Sequence, residues 1–268
     1  MIAPPPSPSR RHPCPKAPVA LITGAARRIG RSIAEALAAD GHPVALHYNG
    51  SQEEAGTVVA AITAAGGRAM AFQADLHSED GMAGLLPTVT AALGPVGVLV
   101  NNASTFEQDS LSTATRASWD LHMQANLRAP FVLCQQMAAL LPDGAHGSII
   151  NLIDQRVWAL TPDFMTYTLS KAGLWTLTQT LALALAPRIR VNAIGPGPAL
   201  PSKRQSPEQF AAQAAAMPLG HGTNPAEIAD TVRFLLAAGS MTGQMIALDG
   251  GQHLGWALPG VDMAVLAE

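Results

Sequence analysis

Tyr167 and Lys171 stand four residues apart in "YTLSKAGL", and Asp154 precedes the tyrosine by thirteen residues in "IINLIDQRVW". On a helix, that four-residue spacing puts the phenol and the ammonium on one face, where both can act on one ligand. A free tyrosine titrates near ~10 and is a poor acid-base group at neutral pH, but a neighbouring ammonium favours its phenolate. The spacing is also that of any amphipathic helix, so its meaning depends on context. An ionised Asp154 accepts hydrogen bonds and cannot donate one to a substrate carbonyl.

A second group lies near the N-terminus. "ALITGAARRIGRSIAEAL" places Gly24 just after an apolar strand-like run and Gly30 where a helix begins. A pyrophosphate needs this arrangement, with a tight turn followed by free helix amides carrying partial positive charge. Arg28 occupies a position where glycine is more usual, and its cation faces either an anionic ligand or solvent. Further on, "VALHYNGSQEE" carries His47, Tyr48, Asn49, Gly50 and Ser51 with no carboxylate before Glu53. An acidic residue at such a tip binds the ribose 2′-hydroxyl of a dinucleotide, and its absence leaves room for a 2′-phosphate. The expected cofactor is therefore NADPH, with Ser51, Asn49 and Arg27 as candidate phosphate ligands. Ser51 also fits the N-cap of the next helix, a compatible role.

These groups must be held by alternating elements. Short apolar runs ("VALIT", "VALHY", "RAMAFQ", "VGVLVNN", "GSIINLI", "IRVNAI", "QMIALD") alternate with helical stretches at 31–39, 52–65, 79–93, 117–140, 166–186 and 225–238. Alternation of this kind predicts a parallel sheet with helices on both faces, and uniformly apolar strands predict burial on both sides. The fold class is α/β, a single Rossmann-type doubly wound sheet of seven strands. A loop starting at Gly195, "GPGPALPSKRQS", followed by a short helix to Met217, is expected to shape substrate choice.

Bulk properties narrow the partners. The 268 residues are 48% hydrophobic and 13% charged with a formal charge of -3 and no long run of either sign, which argues against nucleic-acid or membrane-surface binding. Cys14 and Cys134 fit neither a disulfide framework nor a zinc spacing, and His221 and His253 have no partner spacing, so no metal is expected and a reducing cytoplasm is. No apolar stretch reaches membrane-spanning length. The prolines of "MIAPPPSPSRRHPCPKAP" predict a disordered tail over residues 1–18, leaving 19–268 as the domain.

"TGAARRIG", "NNAS", Asn126 in "QANLRAPF", "YTLSK" and "VNAIGPGP" together resemble the short-chain dehydrogenase/reductase family over nearly all of residues 19–251. The resemblance implies a tetramer and a cofactor set of Gly24, Arg27, Arg28, Ile29, Gly30, His47, Tyr48, Asn49, Ser51, Asp75, Leu76, Asn101, Asn102, Ala103, Tyr167, Lys171, Pro196 and Gly197. In it Asp75 meets the adenine, Lys171 binds the nicotinamide ribose and lowers the tyrosine pKa, and Asn126 holds a water in a proton relay.

Common members carry serine where this chain has Asp154. Pteridine reductases look similar in sharing the aspartate, Arg28 in "RRIG", and Ser104 and Phe106 in "NNASTF", although Gly50 stands where they usually have arginine. Arg28, Ser104, Phe106, Asp154 and Tyr167 are then the expected pterin site. Phe106 stacks on the flat ring opposite the nicotinamide, Arg28 meets the pterin carbonyl edge and the pyrophosphate, and Asp154 relays protons to Tyr167. The alternatives are a carbonyl or 3-oxoacyl thioester reductase that tolerates Asp154, and a non-catalytic NADP(H)-binding sensor. The C-terminal segment from Gly251 is expected at an interface or over a neighbour's site, and Trp158 either borders the pocket or is a buried structural residue.

Overall fold

In the computed structural model, residues 17–255 are described. The expected tail lies outside them except for Ala17 and Pro18, as do Cys14 and the C-terminal segment 256–268. Seven strands, β1 (Val19–Ile22), β2 (Val44–Tyr48), β3 (Ala69–Gln73), β4 (Val96–Asn101), β5 (Gly147–Leu152), β6 (Ile189–Pro196) and β7 (Met245–Leu248), form one sheet in the order 3-2-1-4-5-6-7. All six pairings are parallel. The chain leaves β1 toward β2 on one side and reaches β4 on the other. The crevice beyond the carboxyl ends of β1 and β4 is thus the topological switch point at which such sheets bind ligands.

Helices α1 (Arg28–Ala39), α2 (Gln52–Ala64) and α8 (Pro225–Ala237) cover one face, sealing a core built on Ile22, Ile33, Leu37, Leu46, Val100 and Leu235. On the opposite face α3 (Glu79–Leu93), α5 (Ala129–Leu140) and α6 (Met165–Ala184) bury Leu21, Met82, Leu86, Leu99, Leu133 and Ile149. Central strands β1 and β4 are buried at every residue, as uniform apolarity predicts. β3 departs from that expectation, because as an edge strand it exposes Met70, Ala71 and Gln73. Among the described residues no helix is long and apolar enough to cross a membrane.

The helix expected over 117–140 is three pieces: α4 (Arg116–Met123), a π turn over Gln124–Arg128, and α5. The wide turn inserts Asn126 into the protein interior, and Pro130 opens α5 where its missing amide is tolerated. Pro207–Ala215 forms the short α7 beyond the loop that follows β6, and its first turn is closed by a reciprocal Ser206–Gln209 capping box.

Candidate active site

Asp154 leaves the carboxyl end of β5 and caps a single 3-10 turn, accepting the Arg156 amide on Oδ1 at 2.8 Å. Its other oxygen, Oδ2, accepts the Tyr167 hydroxyl at 2.9 Å. Tyr167 and Lys171 share the buried face of α6, at 5% and 2% exposure, and half-buried Asp154 meets Tyr167 from the cleft. Lys171 Nζ donates to the Leu152 carbonyl at 2.8 Å and lies 5.7 Å from the centre of the Tyr167 ring. Burial pulls the Lys171 pKa down to about 8, with Asp154 acting in the opposite direction.

The Asn126 side chain makes four hydrogen bonds within the protein. Oδ1 accepts from the Thr105 amide (2.8 Å) and Ser104 Oγ (3.1 Å), while Nδ2 donates to the Thr105 carbonyl (2.9 Å) and Ser170 Oγ (3.0 Å). Its carboxamide thus ties the loop after β4 to α6.

The dinucleotide cradle begins at Gly24, whose φ of +63° is reached readily only by glycine. Thr23 Oγ1 accepts the amides of Asn102 and Ala103, both at 2.9 Å, and Asn102 Nδ2 donates to the Thr23 carbonyl at 2.8 Å. A cleft of about 440 Å³ opens above, lined by Gly24, Arg27, Arg28, Ile29, Gly30, His47, Tyr48, Asn49, Ser51, Leu76, Asn102 and Ala103, together with Gly50, His77 and Thr105. The bare glycine backbone at the start of α1 suits a pyrophosphate. Ser51 sits at the N-cap of α2 without a side-chain capping bond, and Arg27 reaches Glu54 at 3.4 Å across the same helix end.

Four of the expected cofactor residues make side-chain contacts within the protein. Asn101 points into the core and donates to Asn151 Oδ1 at 2.8 Å, so Asn102 is the asparagine at the cleft. Asp75 does not line the cleft; its Oδ1 accepts the His77 amide (3.0 Å) and ring (3.1 Å), and the amide bond leads the contacts that hold its pKa low. His47 lines the cleft but has both ring nitrogens occupied, Nδ1 accepting from the Gly24 amide and Nε2 donating to the Ala74 carbonyl, each at 3.1 Å. It braces the phosphate turn rather than offering a free donor.

Arg28, at a left-handed φ of +53°, sends its guanidinium across the cleft to the carbonyls of Pro201 (3.0 Å) and Leu200 (3.4 Å). It bridges the phosphate turn and the substrate loop and lines both clefts.

His47 yields a pH prediction. Burial lowers its pKa from 6.5 to about 4. Below 6.5 the unfolded chain takes up a proton that the folded chain refuses, so this stability is complete above 6.5 and drains away as pH falls toward 4. Between pH 6.5 and 5 the expected loss is about 1.5 kcal/mol. Urea unfolding of wild type and His47→Asn at both pH values checks this, since the variant should lose markedly less on acidification.

The second cleft, about 270 Å³, adjoins the first through Arg28, Ile29, Asn102 and Ser104. It brings together Ser104, Phe106, Asp154, Tyr167, Lys171, Pro196 and Gly197. Phe106 is stacked on Phe164 (4.6 Å between centroids, 10° between planes) and meets Tyr167 edge-on at 4.6 Å, so one face of its ring is already covered. Arg204 of the substrate loop caps the pair at 5.0 and 5.4 Å and binds Glu107 at 3.1 Å.

Gln155, Arg156, Gln213 and Gln252 also line this cleft without having been expected there. Adjacency to Asp154 could have suggested the first two, whereas Gln213 on α7 and Gln252 beyond β7 arrive from remote sequence. Trp158 is 43% exposed and lies against Trp175 and His253, outside the cleft. Among the described residues no group of three His, Cys, Asp or Glu is placed to hold a metal ion.

A doubly wound sheet, a glycine cradle at its switch point and an adjoining Tyr-Lys-Asp cleft define a Rossmann-type oxidoreductase. The family model described as Enoyl-(Acyl carrier protein) reductase matches residues 24–253, and the chain belongs to the short-chain dehydrogenase/reductase family. It is 48% identical to FolM Alternative dihydrofolate reductase 1 from Brucella suis, solved in complex with NADP. That structure superposes with a TM-score of 0.87, covering 91% of this chain and 98% of the other. At 35% identity over 243 residues it resembles the 3-oxoacyl-[acyl-carrier-protein] reductase FabG of Staphylococcus aureus, covering 88% of this chain and 98% of that one.

Proposed function

We propose that this protein is an NADPH-dependent reductase of a dihydropterin, dihydrofolate included, and that Tyr167 and Asp154 deliver the proton. The observation that carries the reading is the 2.9 Å contact between the Tyr167 hydroxyl and a carboxylate where a serine hydroxyl would serve a carbonyl substrate. NADPH, when bound, supplies the hydride. Reducing a ring carbon-nitrogen bond requires a proton on the nitrogen. Tyr167 gives its proton to that atom, and the phenolate so formed is recharged by a proton that the Asp154 carboxylate takes up from solvent water and passes on, a relay that a serine supports poorly. Lys171 places a positive charge beside the phenol while its proton is retained.

Support for the cofactor comes from the β2 tip without a carboxylate, the uncapped Ser51 and the NADP complex of the Brucella suis relative. Support for the substrate comes from the higher identity to a protein named as a dihydrofolate reductase than to FabG, 48% against 35%. The same reading includes a homotetramer, for which an apolar groove of about 520 Å³ bordered by Met123, Leu127, Phe131, Gly173 and Leu177 supplies a candidate contact face.

The test is loss of reduced-nicotinamide absorbance with dihydromonapterin, dihydrobiopterin and dihydrofolate, run beside simple ketones and a 3-oxoacyl thioester. Turnover of a pterin at least about tenfold more efficient than any carbonyl is expected, given what one well-placed polar contact contributes to discrimination. Turnover confined to the thioester would replace this reading with the FabG-like one that the 35% identity favours.

A further inference from the structure

We infer that Asp109, Thr166 and His122 form a buried positioning unit that holds the aromatic wall of the substrate cleft in register with Tyr167. None of the three lines either cleft, and they are 4%, 3% and 0% exposed. The bonds run in one direction. The Glu107 amide donates to His122 Nε2 at 3.1 Å, His122 Nδ1 to Thr166 Oγ1 at 2.7 Å, and Thr166 Oγ1 to Asp109 Oδ2 at 2.5 Å. Residues 107–109 close the ring covalently. Only a neutral His122 protonated on Nδ1 satisfies both of its partners, since Nε2 must accept.

The unit grips both sides of the wall. Phe106 directly precedes Glu107, whose amide begins the ring. Phe164, the ring stacked beneath Phe106, is held at a left-handed φ of +58° with its amide donating to the Asp109 carbonyl at 2.7 Å. Asp109 Oδ1 also accepts the Thr166 amide at 3.1 Å. It thereby caps the first turn of α6, where Phe164 provides no side-chain cap. The turn so capped carries Tyr167 one residue on. Phe106 meets Tyr167 edge-on at 4.6 Å, so a displacement of residues 106–109 changes the distance between the wall and the proton donor.

Thr166→Val keeps the side-chain shape and removes the hydroxyl at the centre of the ring. This inference concerns the cleft's geometry and stands apart from the substrate reading. KM is measured with dihydrobiopterin, or with the 3-oxoacyl thioester if wild type consumes only that. The expected result is a KM raised about tenfold with kcat within roughly threefold, because a lost buried hydrogen bond is worth about one decade and the Tyr167–Asp154 contact does not pass through Thr166. NADPH affinity, read by fluorescence titration, should stay unchanged, and Thr166→Ser should restore KM.

An unchanged KM in a folded Thr166→Val enzyme, even one with a lowered Tm, would overturn the positioning role and leave a merely stabilising one. Independently of turnover, 15N-histidine NMR of the wild-type protein should show His122 as the neutral Nδ1–H tautomer. An imidazolium or an Nε2–H tautomer would also sink the proposal.

Discussion

Asp154→Asn should lower kcat for a dihydropterin by about a hundredfold to a thousandfold with little change in KM, the span a positioned acid-base group normally contributes. Asparagine keeps the shape and one of the two contacts, because its single carbonyl oxygen can accept the Tyr167 hydroxyl, as Oδ2 does at 2.9 Å, while its amide group cannot accept the Arg156 N–H. It cannot take up or pass on a proton at neutral pH. A loss in kcat without a loss in binding therefore isolates proton supply from site assembly. Steady-state kinetics at saturating NADPH decide the matter, and an Asn variant with wild-type kcat would remove Asp154 from the chemistry. The pH profile adds a second signature. With its pKa lowered by burial to about 8, Lys171 sheds its proton as pH rises through that value, so kcat should fall on the alkaline side.

Much of this site was legible because its parts are local. The strands are short and largely apolar, the four-residue spacing of Tyr167 and Lys171 survives any helix boundary error, and the glycines of the first turn announce their own backbone. The edge position of β3 was hidden, since strand order is a property of the sheet and not of any one run. Contacts between residues far apart in sequence were hidden in a consistent way. The part His47 plays was hidden because its bonds to the Gly24 amide and the Ala74 carbonyl tie β2 to the segments after β1 and β3. For Arg28 the hidden partners are the Leu200 and Pro201 carbonyls, which lie about 170 residues on and are brought to it only by the tertiary fold. The π turn that places Asn126 in the interior has no spacing of its own that distinguishes it from continuous helix.

Gly30→Ala should weaken NADPH binding by more than about a hundredfold, because the cradle has no room to yield. A methyl group there would stand 2.3 Å from the Gly24 carbonyl oxygen, 2.6 Å from Asn102 Nδ2 and 2.9 Å from Ala25 Cα. Two of these are backbone atoms, so no rotamer change relieves the contact. Either α1 retreats from the sheet or the Gly24 turn opens, and each outcome moves the helix amides away from where a pyrophosphate would lie. Rotating Asn102 aside would also break its bonds to the Thr23 and Gly24 carbonyls, which fix that turn. Gly56 in α2 and Gly84 in α3 supply the control, since an added methyl meets nothing within 4 Å at either. Alanine at those two positions should leave NADPH affinity unchanged and stabilise the fold by about 0.5–1 kcal/mol through helix propensity. Isothermal titration with NADPH and thermal melts of the three variants separate the effects. Tight binding by Gly30→Ala would mean that the dinucleotide does not depend on the cradle at the start of α1, and the assignment of that cleft to the cofactor would fall with it.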